Sequence, residues 1–191
     1  MLLKAMGLFW RRGYQATSMQ DLAACMGLGS GSIYNEFGDK HSLFVRALQH
    51  YDKVWRKDWI TELARSSSPR QAIFGAFEAA IDACLAGGSR DGCLLINTAL
   101  ELSPHDPEVA AIVARAFGDM EEFFRASIAQ GKILGEICDS VAEDRTAGAL
   151  LGLLIGLRVL VRSRPEESLL RSIMQQVEEL VPRGAMDSGT R

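Results

Sequence analysis

Apolar side chains recur along this chain with the spacing of a helix face. One face of a first helix, which Gly13 ends, consists of Leu2, Ala5, Met6 and Phe9. Strand-like alternation of β-branched residues is nearly absent, and each of the five prolines falls where a helix could begin or end. The pattern predicts an all-α protein of about nine helices.

Capping residues divide the N-terminal part into short helices. Thr17 or Ser18 can cap a second helix that stops at Gly27, and a third follows over about residues 30–37. Asp39 caps a long fourth helix with apolar spacing to about Arg65.

The remaining helices have comparable signals. The fifth to seventh helices are predicted at Ser68-Pro69 to Gly87-Gly88, at about 92–102, and from Asp106-Pro107 to about Gly131. Asp139 or Ser140 caps the eighth, where Ser140 with Glu143 matches a capping box, and the ninth lies between Pro165 and Pro182. Residues 183–191 lack periodicity and are predicted to be disordered.

Composition excludes several classes of protein. Of 191 residues, 48 % are hydrophobic and 24 % charged, an ordinary globular balance. No apolar run reaches the roughly 18 residues of a membrane span, and no signal peptide is evident, so we expect a cytoplasmic protein with no membrane partner. The four cysteines form no C-x-x-C pair, so we expect neither a disulfide framework nor a metal site, and no cofactor.

Charge is unevenly distributed along the chain. Residues 1–57 carry eight Lys/Arg and four Asp/Glu, a formal charge of +4 within a chain whose net charge is −3. A basic N-terminal part on an acidic remainder indicates that the N-terminal part meets a polyanion.

The stretch GLGSGSIYNEFGDK at 27–40 is the most informative segment. Its glycines do not form a Walker loop, because the only Gly-Lys pair is followed by Ile133, and a helix rather than a strand precedes them. A helix-turn-helix explains the segment better. Gly27 supplies the left-handed turn, and the two helices are locked by Leu22, Ala23, Met26, Leu28 and Ile33.

Small residues at the start of the second motif helix let its backbone approach the DNA major groove. They are Gly29, Ser30, Gly31 and Ser32. Free amides and hydroxyls there can bond phosphate. Tyr34 can offer its hydroxyl to phosphate or its ring to a thymine methyl, and Asn35 could pair with an adenine edge.

Three short motifs occur together in residues 1 to about 52: Gly-Tyr-x-x-Thr-Ser, Tyr-x-x-Phe and Asp-Lys-x-x-Leu-Phe. With these motifs, the segment resembles the DNA-binding domain of the tetracycline-repressor (TetR) family. GCLLINTALELSPHDPEV at 92–109 is similar to the C-terminal domain of one subgroup. The resemblance implies a helix-turn-helix domain at 1–50, a ligand-binding and dimerisation domain at 51–182, and a tail at 183–191. It also implies a homodimeric repressor that binds palindromic double-stranded operator DNA and is released by a small-molecule inducer.

For individual residues, the resemblance implies phosphate contacts from Thr17, Ser18, Tyr34 and Lys40. Base contacts would come from Gly29 to Ser32 with Tyr34 and Asn35. The chain departs from many members in having glycine at position 31, where they have lysine. This helix also has no Lys or Arg, while its Glu36 is acidic. Affinity would then rest on amides, hydroxyls and the flanking Arg11, Arg12 and Lys40.

Three glycines four residues apart mark the eighth predicted helix. Gly148, Gly152 and Gly156 leave one helix face without side chains, which lets another helix approach closely. Glycine in a helix interior costs about 0.8–1.0 kcal/mol relative to alanine, so three together need a packing reason. That reason is either packing within the chain or a dimer interface formed by helices eight and nine of two subunits.

Candidate ligand-binding residues lie on the fourth to seventh predicted helices. We expect most aromatic residues there to be core residues, and Trp59, Phe77, Phe117 and Phe124 to line a cavity. Asn97 interrupts an apolar stretch, and a buried amide needs partners. Cys93 begins a helix, where free amides can lower a thiol pKa, although it can equally be a small buried hydrophobe. The ligand class indicated is apolar or electrophilic.

An enzyme and a constitutive interaction module are the two other functional classes to compare with the regulator. No nucleophile, acid–base pair or metal motif supports an enzyme. A constitutive helical dimeric interaction module without ligand response is the alternative to the regulator. It predicts a filled core, whereas a ligand-responsive regulator predicts a cavity between helices four and seven.

Overall fold

Helices make up all of the regular secondary structure in the described part of the chain. The computed structural model describes residues 1–85 and 91–184, without the side chains of Ser30 and Trp55. No strand occurs in these ranges, which confirms the all-α prediction. The predicted helix end at Gly87-Gly88 and the predicted tail from residue 185 onward lie outside the described residues.

The described helices follow the predicted order closely. They are α1 (Leu2–Arg12), α2 (Met19–Met26), α3 (Ser30–Phe37), α4 (Lys40–Tyr51), a π-helical segment (Asp52–Lys57), α5 (Asp58–Ser66), α6 (Pro69–Leu85), α7 (Leu94–Glu101), α8 (Pro107–Ile133), α9 (Glu143–Ser163) and α10 (Glu167–Leu180).

Two compact units divide the chain. Unit 1 contains Met1–Asp58 and Asp91–Ala116, and unit 2 contains Trp59–Arg90 and Phe117–Arg191. The units are interleaved along the chain because α7 and the first turns of α8 pack with the N-terminal helices. The predicted boundary at residue 50 divides the chain by function, and it stays a prediction.

The core of unit 1 is built by α1 against α4. The buried face of α1 includes Phe9, whose ring meets that of Phe44 edge-on at 5.0 Å between centroids. Both rings are at most 2 % exposed, so together they remove a large apolar area from water. The α1–α4 pair is therefore the support on which α2 and α3 rest.

The helix-turn-helix formed by α2 and α3 has the predicted turn. Ser18 caps α2, with Asp21 completing a capping box, and Gly27 ends it in the left-handed conformation at φ 71°. Leu22 and Ile33 are fully buried, so they lock the two helices. The cap, the turn glycine and the lock agree with the sequence prediction.

The predicted fourth helix is continuous to Ser66 but contains a π-helical segment. Within it the Asp58 N–H donates to the Lys53 carbonyl, five residues back. The Arg56 guanidinium is 7 % exposed and its Nε donates to Asp52 Oδ1. Apolar spacing could not reveal this segment, because one wide turn changes the register by only one residue.

Unit 2 packs parts of α5, α6, α8, α9 and α10 around an aromatic pair. Phe77 and Phe124 are both 0 % exposed, and their rings stack with 5.9 Å between centroids. From α9 the buried residues are Thr146, Ala147, Leu150, Leu154, Leu157 and Val161.

Helix α9 is long and apolar enough to cross a membrane by length and composition alone. One such helix is weak evidence for a span, because a core helix meets the same criterion. Its buried face belongs to the core of unit 2, and 33 % of its 18-residue apolar window is buried.

The predicted capping box at Ser140 was wrong. Helix α9 begins at Glu143 with Ala142 at the N-cap and no side-chain cap hydrogen bond. The Ser140 hydroxyl instead lies 3.1 Å from Cys138 Sγ. Glu143 forms an ion pair with Lys132 Nζ at 3.0 Å, so its carboxylate is directed to α8.

Two glycines of the turn offer a matched test of backbone strain. Gly27 has φ 71° and Gly29 has φ −70°, and an added Cβ would meet no atom within 4 Å at either position. Gly27→Ala should therefore lower the free energy of unfolding by about 1 kcal/mol or more, through the left-handed backbone alone. Gly29 is the N-cap residue of α3, so Gly29→Ala should lose only the cap preference for glycine over alanine, about 0.5 kcal/mol and less than the loss at Gly27. Urea denaturation measures both, and equal losses would contradict this explanation.

Candidate nucleic-acid interface

Helix α3 has one buried face and one open face. Ile33 and Phe37 point into unit 1 with 0 % and 5 % exposure. On the other face Ser32 and Asn35 are exposed, and Tyr34 is 53 % exposed. An added Cβ at Gly29 or Gly31 would meet nothing within 4 Å, so the start of the helix is bare. A polyanion can therefore approach the α3 backbone closely.

Positive charge lies around α3 rather than on it. Arg46 lies over the Phe37 ring at 4.8 Å and donates to the Glu36 carbonyl at 3.1 Å. Arg11 and Arg12 are exposed at the end of α1, where Arg12 Nη1 is 3.2 Å from Asp21 Oδ1. Arg12 is thus paired with an acid of α2, and the contribution of Arg11 and Arg12 to DNA affinity stays a prediction.

Ser18 is exposed at the start of α2, in the position predicted for a phosphate contact. Its hydroxyl accepts from the Asp21 N–H at 3.1 Å and donates to Asp21 Oδ2 at 2.5 Å. These hydrogen bonds from Ser18 hold the pKa of Asp21 below its usual value. The hydroxyl is thus engaged in the helix cap, and its contact with phosphate stays a prediction.

Thr17 does not fit its predicted side-chain contact with phosphate. It is 0 % exposed, and its hydroxyl donates to the Gly13 carbonyl at 2.7 Å. A buried hydroxyl that is already paired cannot reach a DNA backbone. The residue instead closes the loop between α1 and α2.

Lys40 is half-buried at the start of α4. Its Nζ lies 4.2 Å from the centroid of the Tyr14 ring. Burial lowers the pKa of Lys40, and the charge of Glu101 opposes that effect. The ammonium is therefore held in place by the ring, and its predicted role as a phosphate contact depends on where Tyr14 lies.

The three α9 glycines are open within this chain. An added Cβ would meet no atom within 4 Å at Gly152 or Gly156, and at Gly148 it would meet only Glu121 Oε1, at 3.8 Å. Packing against another helix in residues 1–85 and 91–184 therefore does not explain these glycines. The α9 glycine face (Gly148, Gly152 and Gly156) remains available to a partner.

The predicted ligand residues fall in different units. Within unit 2, Phe77 and Phe124 fill the core, and Trp59 and Phe117 are partly buried. Their part in a ligand cavity stays a prediction.

Cys93 and Asn97 belong to unit 1. The Tyr51 hydroxyl lies 3.6 Å from Cys93 Sγ, and Asn97 Nδ2 donates to the Asp91 carbonyl at 2.9 Å. Cys93 is the N-cap residue of α7, as its predicted place at a helix start requires. No group of three or more metal-ligating side chains occurs in the part of the chain that the structure describes.

Sequence reasoning missed several polar residues of unit 1. Glu101 accepts two backbone hydrogen bonds from the α1–α2 loop, and His41 Nε2 lies 2.6 Å from Asp106 Oδ2. The signal for Glu101 was its position: a carboxylate that ends an otherwise apolar helix needs a partner. The buried ion pair between Arg56 and Asp52 had only its i, i+4 spacing as a sign.

Comparisons with known proteins agree on one family. Residues 2–47 match the family "Bacterial regulatory proteins, tetR family", and residues 69–177 match "Tetracyclin repressor-like, C-terminal domain". The uncharacterised HTH-type transcriptional regulator YezE of Bacillus subtilis is 31 % identical over 136 residues, which are 71 % of this chain and 70 % of YezE. The HTH-type transcriptional repressor ComR of Escherichia coli is 28 % identical over 173 residues, 90 % of this chain and 81 % of ComR.

A solved structure shows the same fold. It is a cysteine mutant of the TetR family transcriptional regulator CifR complexed with 26-bp double-strand operator DNA, with TM-score 0.78, 24 % identity, and coverage of 95 % of this chain and 94 % of that one. Because family matches cover both its N-terminal and its C-terminal part, the chain belongs to the TetR family, and it is a DNA-binding transcriptional regulator rather than an enzyme.

Proposed function

We propose that the protein is a cytoplasmic repressor that binds a palindromic operator as a homodimer and leaves it when a small-molecule inducer binds. The observation that carries the proposal is the open face of α3, where exposed glycines and polar side chains stand on a buried apolar lock. A helix with one open polar face and one buried apolar face can enter the major groove while its apolar face stays packed. Repression itself is supported by ComR, which is named a transcriptional repressor.

Tyr34 is the largest exposed side chain on α3, and its removal tests DNA recognition. Tyr34→Ala should weaken operator binding by about tenfold, as expected when roughly one good base or phosphate contact is lost. Fluorescence anisotropy with the DNA that flanks the protein's own gene measures the change.

Tyr34→Phe separates the two possible contacts of this residue. It keeps the ring and removes the hydroxyl, so full affinity would assign the contact to the ring, and a loss equal to that of Tyr34→Ala would assign it to the hydroxyl. Because the side chain is half exposed, neither variant should melt earlier than the parent protein. An unchanged operator affinity in Tyr34→Ala would contradict the role of this face.

The dimer is proposed to form through α9 and α10. Within the described residues only Glu121 Oε1 comes within 4 Å of an added Cβ on the glycine face of α9, and helix pairs from two subunits can pack there as a four-helix bundle. A dimer of this kind presents two α3 helices to successive major grooves about 34–36 Å apart, so operator half-sites would lie on one face of the duplex.

Gly152→Leu tests this interface. A branched side chain should force the two α9 helices apart, and light scattering should show monomer or aggregate in place of dimer. Gly118→Leu is the matched control, because Gly118 also lies in a long helix, is exposed, and has no atom within 4 Å of an added Cβ. Loss of the dimer in both variants, or in neither, would contradict an interface specific to α9.

Ligand response is proposed to reach the DNA through the helical run from Lys40 to Ser66. This run is continuous from the end of the helix-turn-helix through Trp59. A small tilt would change the separation of the two α3 helices, so an inducer need only favour a spacing that the operator cannot accept.

Cys93 and Asn97 are the proposed contacts to an apolar or electrophilic inducer. They lie one turn apart at the start of α7, where a thiolate could add to an electrophile and the amide could orient a carbonyl or carboxylate group. The Asn97 side chain is held by its hydrogen bond to the Asp91 carbonyl.

Cys93→Ser tests covalent sensing, because it keeps the volume nearly constant and removes most of the nucleophilicity. Release of operator DNA by electrophiles should be lost in this variant. Cys138→Ser is the comparison, since hydrogen bonds from Ser140 lower the pKa of the Cys138 thiol and make it the competing reactive site. Normal release by Cys93→Ser would show that this cysteine is a packing residue.

The alternative is a constitutive helical dimeric interaction module without ligand response. The stacked and fully buried Phe77 and Phe124 favour it, because they fill the part of the core where a cavity was expected. A gel shift with DNA from around the gene, with and without a metabolite panel, distinguishes the inducible repressor from the constitutive module. Release by one metabolite supports the repressor, and retention with every metabolite supports the constitutive module.

A further inference from the structure

Glu101, the last residue of α7, binds the loop between α1 and α2 with both oxygens of its carboxylate. Oε2 accepts from the Tyr14 N–H at 3.0 Å, and Oε1 accepts from the Gln15 N–H at 2.7 Å. Two hydrogen bonds to one charged acceptor are among the stronger polar contacts in a protein. The loop conformation therefore depends on a residue 86 positions away in sequence.

Gly13 shows that the loop and the carboxylate fit each other. The residue has φ 83°, which disfavours a side chain, and an added Cβ would lie 2.9 Å from Glu101 Oε2. A larger residue at position 13 would be strained and would also displace the carboxylate. The glycine is thus required for the approach of Glu101 as well as for the end of α1.

The loop held by Glu101 positions residues at the proposed DNA interface. The Gly13 carbonyl accepts the Thr17 hydroxyl, and Ser18, the cap of α2, follows directly. The Tyr14 ring packs against Phe44 at 5.0 Å and lies under the Lys40 ammonium at 4.2 Å. Displacement of Tyr14 would therefore move both the start of α2 and Lys40.

We propose that Glu101 is a positioning residue for operator binding, which sets the α1–α2 loop so that Ser18 and Lys40 face the DNA backbone. The inference rests on the proposed function. An acidic residue ordinarily repels DNA, but in this role Glu101 increases the affinity of the protein for DNA.

A second contact fixes the other side of the same segment. Asp106 Oδ2 lies 2.6 Å from His41 Nε2, and Asp106 Oδ1 accepts from the Val109 N–H at the start of α8. On the α1 side the Trp10 indole N–H donates to the Gly92 carbonyl at 3.1 Å. Residues 92–106 are thus attached to α1, the α1–α2 loop and α4. These contacts hold Glu101 within hydrogen-bond distance of the loop amides.

The sign of the effect of Glu101→Gln on DNA affinity tests the proposal. The amide can still accept from one of the two N–H groups but not from both, and the negative charge is lost. We expect operator affinity to fall about tenfold, and the slope of log Kd against log salt to decrease by about 1, because one phosphate contact is lost. Fluorescence anisotropy at several salt concentrations measures both quantities on the full-length protein.

Glu78→Gln is the control, because Glu78 is an exposed acid in unit 2 and its loss changes the net charge equally. Removal of a negative charge alone should leave DNA affinity equal or slightly higher. Affinity of Glu101→Gln equal to or above that of Glu78→Gln would overturn the proposal. If the parent protein bound no operator DNA, the proposed function itself would fail, which is a separate result.

Amide exchange on the parent protein tests the same contact should Glu101→Gln not fold. The Tyr14 and Gln15 amides should exchange at least about tenfold more slowly than an unstructured chain in the free protein, and more slowly still on operator DNA. Exchange at unprotected rates in the free protein, or no further protection on DNA, would overturn the proposal.

Discussion

The burial of one face of α3 is the constraint on which the proposed DNA-binding surface depends. Ile33 and Phe37 are almost completely removed from water, and this packing holds the helix while its exposed residues are glycine, serine, tyrosine, asparagine and one acid, Glu36. A helix of eight residues is too short to be stable alone, so tertiary packing has to hold it. The capping box of α2 and the left-handed Gly27 then fix the angle at which α3 is presented.

Polar contacts complete what apolar packing begins. The aromatic packing of Phe9, Tyr14 and Phe44 supports the α1–α4 pair, but packing alone does not select one loop conformation. The Glu101 carboxylate does so by accepting two defined N–H groups. Unit 1 thus combines an apolar support with directional hydrogen bonds, and the part of the chain that carries these bonds comes from beyond the N-terminal family match.

Local signals were enough to predict most of the helices and the open face of α3. Gly13, Ser18, Gly27 and Asp39 end or begin helices where their conformational preferences place them. The sequence did not reveal features that depend on distant partners. The burial of Thr17, the attachment of Glu101 to the loop and the π-helical turn around the Arg56–Asp52 pair each need the fold to be known. The Ser140 capping box failed for the same reason, because Lys132 competes for Glu143.

A hydroxyl-radical footprint of the protein on the DNA around its own gene tests whether two α3 helices read the operator. We expect two protected patches related by a two-fold axis, on one face of the duplex and about 34–36 Å apart. A single patch, or protection without any symmetry, would contradict a dimer that reads DNA through two α3 helices. The absence of any protected region would contradict operator binding at this locus.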